Sequence, residues 1–129
     1  MRGQRTERRD EMIQDYEDLK VYQSSYALSL KVYELTKAMP KSEAYGMIGQ
    51  ARRASLSIPL NIAEGYGKRE SAAEFRRYLM MAKGSCNEMK VIADFCKDLG
   101  YIDPKAHEEL KNSYDEIGEM LHGLITKWK

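Results

Sequence analysis

The segment from Ser71 to Gly100 constrains the fold of this 129-residue chain more than any other. It opens with Ser71-Ala-Ala-Glu74, a capping box in which each polar side chain is expected to accept the other residue's backbone N–H. Gly100 ends the segment. Between them, seven apolar residues recur in alternating steps of four and three, which is the period of one helix face: Phe75, Leu79, Ala82, Cys86, Met89, Ala93 and Cys96. The pattern predicts a long helix with one buried side.

Three further segments show the same period. The chain has only three prolines and no run that alternates polar and apolar residues, which argues against a β-rich fold. Helices that each bury one stripe and are joined by short connections pack as antiparallel neighbours. The sequence therefore predicts an all-α protein, an antiparallel up-down-up-down four-helix bundle. Its helices are expected over about 18–39, 43–65, 72–99 and 104–128.

Particular residues mark the expected helix ends. Asp18 and Ser42 are candidate N-caps of helices 1 and 2, and Asp103 is the candidate N-cap of helix 4. Pro40 is expected to stop helix 1. Gly65 begins a Gly-Tyr-Gly segment that is typical of a helix C-cap and turn.

The rest of the chain predicts one domain. Residues 1–14 include an arginine-rich start without apolar period, so we expect a flexible N-terminal arm followed by a single bundle domain at 15–129. No apolar run is long enough to cross a membrane and no secretory signal is present, which predicts a cytoplasmic protein without a membrane partner. Cys86 and Cys96 lie too far apart on one helix to pair, so both are expected to be reduced core residues.

Helix 2 is apolar around almost its whole circumference. Leu56, Leu60 and Ala63 lie outside the main buried side. We expect the cover for this second apolar surface to come from another subunit. A narrow polar stripe, with a proline and a glycine beside it, forms the candidate assembly element: Gln50, Ser57, Pro59, Asn61, Glu64 and Gly65.

Pro59 lies in the middle of helix 2 and predicts a kink there. Proline removes one backbone N–H and pushes against the carbonyl four residues earlier, that of Ser55. We expect Ser57 and Asn61 to bond the backbone groups that this kink frees. The kink either lets the helix curve around its neighbours or aims a polar site. The stripe faces either the bundle interior or a subunit interface.

Charge is distributed unevenly, although the net charge is only +1. Residues 52–97 hold nine basic and five acidic residues, whereas residues 98–129 hold four basic and seven acidic ones. Seven cations near the turn between helices 2 and 3 are candidate nucleic-acid-binding residues: Arg52, Arg53, Lys68, Arg69, Arg76, Arg77 and Lys83. Tyr66 and Tyr78 could stack on bases. Alternatively, acidic and basic helices attract each other within or between subunits.

The sequence offers no catalytic or metal-binding constellation. Bundles that hold two iron ions need two Glu-x-x-His pairs. Only Glu119-Met-Leu-His122 has this spacing, and the pair lies outside the apolar stripe of helix 4. His107, in the first turn of helix 4, is expected to be exposed to solvent. We therefore predict a protein that is not an enzyme and uses no metal or cofactor.

Several strings resemble one known family, namely Ser57-Ile-Pro-Leu-Asn-Ile-Ala-Glu-Gly65, Gln50-Ala-Arg-Arg-Ala54, Glu74-Phe75 and Gly84-Ser85. The chain resembles, over about residues 15–128, the four-helix-bundle proteins of the 23S rRNA intervening-sequence family, also labelled S23 ribosomal proteins. This resemblance implies a bacterial homopentamer, a ring of bundles around a central channel. It also implies a distant relative, the accessory variability determinant of diversity-generating retroelements, which binds nucleic acid and a reverse transcriptase.

These observations together predict a function. We expect a non-enzymatic, homopentameric accessory protein that binds nucleic acid, such as rRNA or another RNA or DNA, through its basic residues. A reverse-transcriptase-like or other protein is a further expected partner. The alternative is a protein-interaction scaffold with no direct nucleic-acid binding, in which the arginines pair with acidic helices or with an acidic partner.

Overall fold

The computed structural model describes residues 13–128, and within this range it contains helices and no strand. The all-α prediction is confirmed. Most of the predicted arm, residues 1–12, lies outside the described residues. The helices are α1 (Lys20–Lys37), α2 (Met47–Gly67), α3 (Ala72–Asp98) and α4 (Pro104–Lys127), with two short 3₁₀ turns at Tyr16–Asp18 and Lys41–Glu43.

The four helices run antiparallel to their neighbours. As the chain advances along one helix, its side-chain partners recede along the next. The bundle is therefore up-down-up-down, with α1 and α3 each packed between α2 and α4. The pairs that fix these directions are Ser29–Ser55 and Thr36–Arg52 for α1 and α2, Ser57–Ser85 and Glu64–Tyr78 for α2 and α3, and Lys90–Asp115 and Lys83–His122 for α3 and α4.

The core is built from the apolar stripes predicted for the helices, each of which we call the seam of its helix. All seven seam residues of α3 are buried, and Phe75 and Leu79 have no exposed surface. A fully buried side chain of this size contributes about 1.5–3 kcal/mol through the hydrophobic effect. Both cysteines are buried and unpaired, as predicted. Burial raises the pKa of the Cys86 thiol to about 12, so this cysteine stays protonated and serves packing.

Helix α1 begins later than predicted because Asp18 caps the turn before it. The Asp18 carboxylate accepts the backbone N–H groups of Gln14, at 3.0 Å, and Asp15, at 3.3 Å. It therefore points back along the chain and cannot bond the first turn of α1. Leu19 takes the N-cap position without a side-chain hydrogen bond. The prediction of Asp18 as the N-cap of this helix was wrong.

Helix α2 begins at Met47, and Ser42, its predicted N-cap, lies in the preceding 3₁₀ turn. Glu43 does the capping. Its carboxylate accepts the Met47 backbone N–H at 3.1 Å and the Tyr101 hydroxyl at 2.5 Å. The bond from Tyr101, followed by that from Met47, holds the pKa of Glu43 below its usual range. This one carboxylate links the start of α2 to the α3–α4 turn.

Gly65 does not end α2, which continues to Gly67. Gly65 instead lies where α2 and α3 pack closely against each other. A Cβ atom at Gly65 would lie 2.6 Å from the Cβ of Tyr78 and 3.1 Å from Cδ1 of Phe75. The predicted Gly65-Tyr66-Gly67 segment does contain the end of α2, at Gly67, but Gly65 itself serves close packing. A glycine needed for close packing looks the same in sequence as one needed for a turn.

Pro59 lies inside α2, which is continuous through it. Because proline has no N–H, the carbonyl of Ser55 has no hydrogen-bond partner within its own helix. Helix α1 supplies the partner. The Ser29 hydroxyl lies 2.9 Å from the Ser55 carbonyl oxygen and 3.0 Å from that of Ser25. Both Ser29 and Ser55 are buried, so water does not replace this bond.

Ser57 and Asn61, which were expected to bond backbone groups freed by the kink, do bond backbone carbonyls of α2, but neither of them bonds the carbonyl of Ser55. The Ser57 hydroxyl donates to the carbonyl of Ala54 at 2.7 Å, and the Asn61 amide donates to the carbonyl of Ser57 at 2.8 Å. The Ser55 carbonyl is bonded by α1, whereas the side chain of Ser57 contacts Ser85 of α3. Periodicity within one helix does not reveal a partner that another helix provides.

Candidate nucleic-acid interface

The α2–α3 turn brings four of the seven predicted basic residues to one end of the bundle. Only four residues separate Gly67, the end of α2, from Ala72, the start of α3. The end of α4 lies here too, because Nη1 of Arg76 donates to the carbonyl of Trp128 at 2.8 Å. The cations at this end are Lys68, Arg69, Arg76 and Arg77.

The other three predicted residues lie elsewhere. Arg53 is separated from Arg69 by sixteen residues of chain, most of them helical, which corresponds to roughly 24 Å. Arg52 is half-buried, and its Nε donates to the Thr36 hydroxyl at 2.9 Å. Lys83 faces α4, where its Nζ lies 3.4 Å from Nδ1 of His122. The seven residues do not form one continuous basic face.

Acidic neighbours neutralise part of the end cluster. Arg77 contacts both carboxylate oxygens of Glu74, at 3.1 and 3.2 Å, and this bond lowers the pKa of Glu74. Lys68 lies 3.9 Å from Glu64 and donates to the Tyr78 hydroxyl at 3.0 Å. Both ion pairs are exposed, so they contribute little to stability. They nevertheless reduce the positive potential that a phosphate backbone would meet.

The two tyrosines expected to stack on bases are not available for it. Tyr66 is 4% exposed and Tyr78 is 7% exposed, so this expectation was wrong. Instead, an arginine side chain packs against each of the two rings. The Arg69 guanidinium lies 4.0 Å from the centre of the Tyr66 ring, and that of Arg77 lies 4.7 Å from the centre of the Tyr78 ring. Such cation–π contacts hold a guanidinium in place without neutralising it.

Arg53 and Arg69 are the predicted cations best placed to bind an external anion. Both are exposed, and neither forms an ion pair with a described acidic residue. Arg69 is also fixed by a hydrogen bond from Nη1 to the carbonyl of Tyr66, at 2.9 Å. An arginine held on a ring keeps its other N–H groups free, and these match the oxygens of a phosphate.

The polar stripe of α2 follows the seam between α2 and α3 within one chain. The hydroxyls of Ser57 and Ser85 lie 2.6 Å apart, and the Tyr78 hydroxyl donates to Glu64 at 3.2 Å. Asn61 joins them through the carbonyl of Ser57. The remaining members of the candidate assembly element are divided between an exposed position and the interior: Gln50 is exposed, whereas Pro59 and Gly65 are buried.

Large apolar side chains are exposed on the outer faces of three helices. Leu56 and Leu60, already expected to need a cover, are 42% and 57% exposed. No large apolar side chain of α4 is exposed to this degree. We call this surface the outer apolar face, and its members on the three helices are Tyr26, Leu30 and Tyr33 of α1, Leu56 and Leu60 of α2, and Met80, Met81, Val91 and Phe95 of α3.

The α3 part of the outer apolar face was not predicted from the sequence. Val91 and Phe95 of α3 and Leu99, the residue that follows its last turn, recur in steps of four, which is a second apolar row beside the buried one. They are 53%, 55% and 51% exposed. The more regular buried seam hid this row, although the spacing alone could have revealed it.

Groups that serve chemistry in other bundles do not converge in the described part of the chain. Between residues 13 and 128, no three His, Cys, Asp or Glu side chains are arranged to hold a metal ion. His107 is only 16% exposed, contrary to expectation, and its Nε2 lies 2.7 Å from Oδ1 of Asp94. Bonds from His107 and then Lys111 lower the pKa of Asp94. None of the described helices is long and apolar enough to cross a membrane.

Comparisons with known proteins agree with this architecture. The model of the family described as 23S rRNA-intervening sequence protein matches residues 17–123. A crystal structure of a protein of unknown function from the S23 ribosomal protein family of Bacteroides thetaiotaomicron is similar, with a TM-score of 0.74 and 25% identity over 81% of this chain and 97% of that chain. A comparison with curated proteins gave no match. The match over most of its length shows that this chain belongs to the family of 23S rRNA-intervening sequence proteins.

Proposed function

We propose that this protein is a non-enzymatic homo-oligomer whose subunits join through the outer apolar face. The main support for this proposal is the exposure of this face to solvent. Leu30 and Leu60 are each 57% exposed, and Met80 is 62% exposed. Monomeric proteins rarely expose large contiguous apolar patches, because covering such surface is favourable by roughly 25 cal/mol per Å².

The distribution of the face favours a closed ring. Helix α2 packs against both α1 and α3, and all three helices carry members of the outer apolar face. A face spread over three helices is wide enough to offer different parts to two neighbours, which suits head-to-tail contacts. The ring of five that the resemblance implies is the assembly that we propose.

Size-exclusion chromatography with multi-angle light scattering tests this assembly. At micromolar concentration we expect one species of about 75 kDa, five times the 14.9 kDa of a single chain. The double substitution Leu56→Glu and Leu60→Glu places charge in the contact and is expected to give a folded monomer. Asn112→Glu, at an exposed position on α4, is the matched control and should keep the large species. A wild-type protein that elutes as a monomer would contradict the proposal.

RNA binding by the assembled protein is a second candidate function. It is favoured by the exposure of Arg53 and Arg69 without acidic partners, and by the fixed position of Arg69 on the Tyr66 ring. In a ring, one such pair from each subunit would give a repeated set of cations. A phosphate backbone binds such sets through the release of counterions.

A salt series tests RNA binding. Affinity for a structured 23S rRNA fragment should fall as salt rises, and Arg53→Glu with Arg69→Glu should weaken binding at least tenfold and make the salt dependence shallower. Lys97→Glu, at an exposed position near the opposite end of α3, should have little effect. Binding that does not respond to salt or to the arginine substitutions would contradict this candidate. Absence of binding at low salt would favour the alternative of a protein-interaction scaffold.

A further inference from the structure

Helices α1 and α4 enclose an open groove. They are neighbours, yet they contact each other far less than α1 contacts α2 or α3 contacts α4. The space between them has a volume of about 690 Å³. Its floor is apolar, with the buried side chains of Leu28 from α1 and Ile117 from α4. The groove lies away from the outer apolar face, which has no members on α4.

The two walls of this groove carry opposite charge. Lys20 and Lys31 line it on α1, and Glu116 and Glu119 line it on α4. None of these four residues forms an ion pair with another residue in the range 13–128. Opposite charges do pair across the α3–α4 seam. The charged groups of the α1–α4 groove are therefore available to a molecule that lies between them.

We propose that the α1–α4 groove binds an amphipathic helix of a partner protein. The apolar stripe of that helix packs on Leu28 and Ile117. Its flank beside α1 carries acidic residues that pair with the two lysines. Its flank beside α4 carries basic residues that pair with the two glutamates. This proposal is independent of the oligomer, because it uses a different side of the bundle.

The dimensions and the walls of the groove suit a helix. Lys20 and Lys31 are eleven residues apart on α1, which corresponds to about 16 Å, or three helical turns. Ala27 and Ser113 line opposite walls, and these small side chains allow another helix to come close. An extended peptide would need unpaired backbone groups at a sheet edge, which helical walls do not offer.

The charge pattern also sets the direction of the bound helix. If the helix turned end for end, its acidic flank would face the glutamates and its basic flank the lysines. Like charges in these positions repel, so a helix with one acidic and one basic flank has one favoured direction. A helix whose two flanks carry the same charge matches one wall and is repelled by the other.

Synthetic peptides of four helical turns test the proposal by fluorescence anisotropy. Each carries the same leucine stripe, and the flanks are glutamate and lysine, lysine on both sides, or glutamate on both sides. We expect the mixed-flank peptide to bind wild-type protein at least tenfold more tightly than either like-flank peptide. With Lys20→Glu and Lys31→Glu, both walls are acidic, so the lysine-flanked peptide should become the preferred one. Ala27→Trp should weaken binding of the mixed-flank peptide at least tenfold by filling the groove.

Controls separate groove binding from general attraction. Lys97→Glu with Lys105→Glu changes two lysines of a different surface and should leave all three affinities within twofold. The lysine reversals on α1 are at exposed positions, so they remain informative if Ala27→Trp fails to fold. The proposal is overturned if no peptide binds the folded protein, or if the order of affinities is unchanged by the reversal of the α1 lysines.

Discussion

Replacing Gly65 with alanine is expected to lower the free energy of unfolding by about 2–3 kcal/mol, because a single methyl group would push α2 and α3 apart. Its Cβ would lie 2.6 Å from the Cβ of Tyr78. That atom is fixed by the α3 backbone and cannot rotate away, unlike the end of a long side chain. Phe75, whose Cδ1 is 3.1 Å away, blocks a shift in its own direction. The higher helix propensity of alanine offsets only about 1 kcal/mol of this cost.

Gly84→Ala is the matched control for this prediction. Gly84 lies inside α3, and a Cβ there would have nothing within 4 Å. The same change should therefore raise the free energy of unfolding by about 0.5–1 kcal/mol through helix propensity alone. Urea denaturation of both variants at one protein concentration measures the two effects. If both substitutions shifted stability in the same direction, close approach at Gly65 would not be its reason for being glycine.

Replacing Ser29 with alanine is expected to cost about 2 kcal/mol, the penalty for leaving a buried carbonyl without a partner. The carbonyl is that of Ser55, which Pro59 has deprived of its helical N–H. In a Pro59→Ala background the N–H returns, and Ser29→Ala should then cost at least 1 kcal/mol less. A double-mutant cycle in urea measures this coupling directly.

Ser25→Ala controls for the loss of a buried hydroxyl from the same helix. Ser25 is 1% exposed, and its hydroxyl donates to the carbonyl of Tyr22 at 3.1 Å. That carbonyl lies within α1 and keeps its helical N–H, so we expect this change to cost less than 1 kcal/mol. It should also show no coupling to Pro59→Ala. Equal costs for the two serine substitutions would refute the role given to Ser29.

The four helices could be predicted because each depends on a period within its own sequence. The seam of α3 is unbroken over 72–98, and the structure buries every member of it. Helix starts were harder, since they depend on which backbone N–H a side chain reaches. Asp18 and Ser42 have the right chemistry for N-caps, but Asp18 bonds backwards and Glu43 reaches Met47 from outside the helix. Such choices depend on loop geometry that spacing does not contain.

The candidate site could likewise be predicted only in part. Clustering of cations along the chain placed four of them at the α2–α3 turn, and the structure brings these four to one end of the bundle. It separates Arg52, Arg53 and Lys83 from them, because helical rise and rotation act on residues that are close in sequence. The loss of Tyr66 and Tyr78 as stacking surfaces also follows from tertiary packing. Burial of a tyrosine ring depends on neighbouring helices, and the local pattern does not encode them.

The proline of α2 has a consequence for how the chain chooses among alternative bundles. Helices with similar apolar stripes can slide past each other by one turn, about 5.4 Å, and still bury their seams. After a slip that brings Val32 of α1 to the place of Ser29, no hydroxyl would reach the Ser55 carbonyl, and a buried acceptor would stay unsatisfied. Pro59 thus makes this slipped arrangement less stable than the correct one. A backbone N–H that is missing from one helix, and is replaced by a single hydroxyl of another, therefore helps to fix the relative position of the two helices during folding.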